Sequence, residues 1–167
     1  YKENGDNKVS VDIHAKDTLK ISGFAKGIQT FGNALINLQG KTIIISAESD
    51  SQGRGLSLNS YDAAKPSILK AKAENLSIKG SEYAIYANDR VDAQLNATGD
   101  INISSSNYAI SANKNTDIQL KSGQNLNILS DTWGIVSFDS TVNAQAEKAI
   151  NITGKVWTSG GHITVGK

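Results

Sequence analysis

The chain is 167 residues long, and its 17 Lys plus Arg nearly balance 16 Asp plus Glu, for a net charge of +1. That balance, with Arg54 and Arg90 the only arginines, gives no reason to expect nucleic acid or an anionic membrane as partner. The absence of Cys excludes disulfides and thiol chemistry, and no run approaches the ~20 apolar residues of a membrane-spanning helix, so direct membrane insertion is not expected.

Tyr1 to Lys8 form no apolar leader and the chain has no Met, so the sequence reads as an internal segment of a longer protein. It holds 19 Ser, 16 Asn and 15 Gly but a single Pro, Pro66. Such a composition is compatible with disorder unless apolar residues are regularly spaced. Here they are.

Val9, Val11, Ile13 and Ala15 alternate like the last strand of a preceding coil. Then a short alternating motif recurs: Leu19-Lys20-Ile21, Ile43-Ile44-Ile45, Leu76-Ser77-Ile78, Ile101-Asn102-Ile103, Leu126-Asn127-Ile128 and Ile150-Asn151-Ile152. The spacings are 24, 33, 25, 25 and 24 residues. A second strand is expected around Ile28, Ile85, Ile110 and Ile135, each seven residues past the motif. A third is expected over Ala34 to Leu38, Val91 to Leu95 and Thr116 to Leu120, with Gly, Asn and Asp making the turns. Ile163 and Val165 alternate up to the last residues, so coils are expected beyond one or both ends.

One triangle of short strands cannot bury its own apolar face, whereas stacked coils can. The pattern predicts an all-β chain: a single parallel β-solenoid over residues 1–167, of about six coils of roughly 25 residues, with three short strands per coil. The single Pro fits, because interior strands need every N–H in the ladder. A β-sandwich is not expected to hold a three-site register at this period.

The coil starting at Ile43 is about eight residues too long, which predicts a loop insertion around 46–66. Its excess falls between Ile45 and Leu56 and around Asn59 to Pro66. The insertion is either a neutral bulge or a binding loop offering Arg54, Tyr61, Asp62 and Lys65.

Tyr83, Tyr108, Trp133 and Trp157 each lie five residues past an Ile of the first motif, so a four-ring column is expected. Exposed, it would be a strip for sugar rings. Because Tyr83 and Ile85 are two apart and should share a face, an internal stack at the corner is the favoured reading. Asn88 and Asn113 are expected to form an asparagine ladder.

Catalytic chemistry finds little support. His14 and His162 fall on different coils, and no His and carboxylate cluster has metal-ligand spacing, so no metal or cofactor is expected. Asp89, Asp92, Asp117 and Asp131 form no recognisable pair across a cleft. The sequons at Asn75, Asn96, Asn102 and Asn151 fall mostly in or beside strands and read as accidents of composition.

Repeats such as Gly99-Asp100-Ile101-Asn102-Ile103-Ser104 and Gln124-Asn125-Leu126-Asn127-Ile128 resemble the passenger domains of Gram-negative autotransporter adhesins. They are also similar to filamentous haemagglutinin-like exoproteins of two-partner secretion. The resemblance spans Leu19 to Val165. It implies a right-handed β-helix displayed on the bacterial cell surface, non-enzymatic, that adheres to a cell-surface protein or glycan receptor or self-associates. It carries over no individual residue. The rival readings are a polysaccharide-active β-helix enzyme and a purely structural stalk.

Overall fold

In the computed structural model the described residues are 8–60 and 65–167. They form strands and turns with no helix. In chain order, β1 (Val9–His14), β2 (Thr18–Gly23) and β3 (Lys26–Thr30) are followed by β4 (Ala34–Ala47), β5 (Arg54–Asn59) and β6 (Ser67–Gly80). Then come β7 (Tyr83–Asn88), β8 (Val91–Ala97), β9 (Ile101–Ser105), β10 (Tyr108–Asn113), β11 (Asp117–Ser122) and β12 (Asn125–Ser130). The last five are β13 (Trp133–Phe138), β14 (Thr141–Ala146), β15 (Ala149–Ile152), β16 (Lys155–Ser159) and β17 (His162–Gly166). Their pairings along the ladder are parallel, each with the equivalent strand one coil away. The chain is therefore a β-solenoid of about six turns.

The first face stacks the recurring motif in register. Leu19, Ile43, Leu76, Ile101, Leu126 and Ile150 form one column, and Ile21, Ile45, Ile78, Ile103, Ile128 and Ile152 another. The second face is the six-stranded sheet of β3, β5, β7, β10, β13 and β16, whose inward column runs Ile28, Leu56, Ile85, Ile110 and Ile135; Val156 is in register with Ile135 but 51% exposed. The third face opens with β1, whose Val9 pairs with Ala34 as expected of a preceding coil, and passes through β8 and β11 to β17.

These columns make one continuous core. Ile43, Ile45, Leu56, Ile78, Ile103 and Ile110 are fully buried. Each such side chain contributes about 1.5–3 kcal/mol of apolar burial. In the first and last described coils Leu19, Ile21, Ile150 and Ile152 pack against the core and are half-buried.

Serine explains the composition. At the corners Ser105, Ser122 and Ser130 turn inward and donate to Ser81 O, Gly99 O and Asn107 O of the preceding coil, at 3.0, 2.6 and 2.7 Å. A short hydroxyl reaches these corner carbonyls without the volume of a larger side chain, at Gly99 O and Asn107 O as a second donor beside the backbone N–H of Gln124 and Trp133.

One feature departs from expectation. The three-strand coil is not uniform: β4 and β6 are 14 residues each and carry the third face of one coil into the first face of the next. Gly40 is thus a bend inside a strand rather than a turn between two. In the long coil Ile28 pairs with Leu56 and Leu56 with Ile85. Its first excess is a turn at Asp50–Gln52, where Gly53 N–H donates to Ser81 Oγ at 2.8 Å.

Candidate functional site

The aromatic column begins with a local break in alternation. Ala84 and Ile85 are both fully buried, although they are consecutive. The same holds for Ala109 with Ile110. Two inward residues in succession turn the residue before them outward, so Tyr83 and Tyr108 stand half-exposed on the outer side of the second face. This overturns the parity argument for an internal stack. The first inward position must be small: a Cβ on Gly55 would lie 2.8 Å from both Ala84 O and Lys79 O.

Tyr83 and Tyr108 rings stack with centroids 4.8 Å apart and planes 16° apart; Tyr108 and Trp133 stack at 6.3 Å and 4°. Both ends of the column carry a cation. Arg54 is in register with Tyr83, and its guanidinium lies 5.0 Å from the Tyr83 ring centroid and 4.7 Å from that of Tyr86. Lys155 is in register with Trp133, with its ammonium 5.2 Å from the indole. Such contacts contribute about 0.5–2 kcal/mol each, depending on desolvation.

Trp157 does not join this column. It pairs with Val136 and meets Phe138 instead, at 5.4 Å between ring centroids and 53° between planes. The cause is a shorter corner. Seven residues carry the chain from Ile128 to Ile135, but four carry it from Ile152 to Val156. Gly154, at φ +86°, makes the tight turn. Lys155 directly precedes Val156, the register partner of Ile135, with no small residue between, and the register shifts there.

Of the four insertion residues, Arg54 and Lys65 are among the described ones. Arg54 opens β5 and belongs to the aromatic column, where its Nε donates to Glu82 Oε2 at 2.9 Å. Lys65 lies at the corner before β6, its carbonyl accepting the Ser60 hydroxyl at 2.6 Å. Tyr61 and Asp62 lie outside the described residues.

Stacking decides what the rings can do. The faces of Tyr83, Tyr108 and Trp133 are turned on one another and on the two cations, so the column presents ring edges to solvent. It cannot be a strip for face-on sugar stacking. The Tyr83 phenol is raised above its usual value by burial, then by the Glu82 carboxylate and Tyr108, against the lowering pull of Arg54. It stays neutral at physiological pH.

Open aromatic surface lies beside the column. Phe138 and Trp157 are 44% and 42% exposed. Between Phe138 and the tyrosines is an open groove of about 370 Å³ on the outer side of the second face. Sequence reading missed Tyr86, Phe138, Glu82 and Lys155. A signal for the register was present: Lys26-Gly27-Ile28, Arg54-Gly55-Leu56, Tyr83-Ala84-Ile85, Tyr108-Ala109-Ile110 and Trp133-Gly134-Ile135 share a small residue before the inward aliphatic.

The other expected features fall elsewhere. The side chains of Asn88 and Asn113 share a column, but Asn113 Nδ2 donates within its own strand to Ser111 Oγ at 3.1 Å. The hydrogen-bonded asparagine ladder is on the first face: Asn127 Nδ2 donates to Asn102 Oδ1 at 2.8 Å, and Asn151 Nδ2 to Asn127 Oδ1 at 2.7 Å. Asp92 and Asp117 are in register on adjacent rungs of one face, not opposed across a cleft. Among the described residues no group of His, Cys, Asp and Glu is placed to hold a metal ion. His14 and His162 stand on β1 and β17, at opposite ends of the third face. No protein-family model, curated protein or solved structure matches this chain.

Proposed function

We propose that this chain forms the binding rod of a bacterial surface adhesin, attaching to a cell-surface protein or glycan through the outer side of its second face. The observation that carries this reading is the exposure of Phe138 beside an aromatic groove on a sheet whose inner side already fills the core. Large rings in water are not needed to hold that sheet together and mark an interaction surface. The resemblance of the repeats to autotransporter passenger domains supplies the compartment, the outer surface of a Gram-negative cell.

The test is binding of the purified protein to epithelial and bacterial cells, beside a Phe138→Ser/Trp157→Ser double variant checked for folding by circular dichroism. Loss of binding in the folded variant is expected. Equal binding by the variant overturns the choice of face. Binding by neither protein to any cell overturns the adhesin reading in favour of a stalk.

A further inference from the structure

We draw no further inference here: the strongest candidate, the open groove along the corner between the third and first faces that runs from Ala15 past Lys72 to Glu147, is lined by exposed lysines and glutamates alike, and nothing in the structure shows what covers it.

Discussion

Tyr83–Tyr108–Trp133 and Asn102–Asn127–Asn151 are both three-rung columns on the outside of the same solenoid, and they solve the stacking problem differently. In the amide column Asn127 donates to Asn102 and accepts from Asn151, a pattern that repeats from rung to rung. In the aromatic column the ends are ring faces, and these are covered by Arg54 and Lys155. Both columns use up their recognition groups on themselves. Open aromatic surface appears beside the column, at Phe138, where the shortened last corner displaces Trp157.

The largest effect should come from removing what the two columns share. Ile103 is fully buried beneath the first face, and Ile103→Ala is expected to lose about 2–5 kcal/mol of unfolding free energy in urea titration. A result near zero would mean that the coils stack without the aliphatic core. Tyr108→Ala breaks two stacking contacts at once, each contributing about 0.5–1.5 kcal/mol beyond area burial, so a loss of roughly 1–3 kcal/mol is expected. Asn127→Ala removes two exposed amide bonds and should lose less, about 0.5–1.5 kcal/mol. If Asn127→Ala proves the more damaging of the two, the ranking of the columns is reversed.

The smallest effect is one of pH. The folded-state pKa of Tyr83 lies above the ordinary 10.0. Between those two values the unfolded chain binds fewer protons than the folded one, so stability falls as pH rises there. The stabilisation is fully present below about pH 10 and is lost as pH climbs through the raised value. Tyr83→Phe removes the titrating group, and the loss in urea midpoint between about pH 9 and pH 11 should be smaller than in the parent. An unchanged loss would assign the alkaline sensitivity to other groups.

The solenoid, its period and its long coil were legible in the sequence, because an inward aliphatic must recur at every rung and that repetition survives without any knowledge of neighbours. Ile21, Ile45, Ile78, Ile103, Ile128 and Ile152 stack as their spacing predicts. The candidate site was legible only in part. Tyr83, Tyr108 and Trp133 share a column as expected, but their outward side, their cation caps and the departure of Trp157 were decided by tertiary structure. Spacing counted from the first motif assumes that every corner uses the same number of residues, and the corner at Gly154 uses three fewer. Parity counted along a strand assumes strict alternation, and the paired inward residues Ala84 and Ile85 break it. The sequence by itself determined what repeats along the axis, since burial enforces it on every coil; corners and outward columns answer to the neighbouring rungs, so only the assembled stack decides which side chains meet.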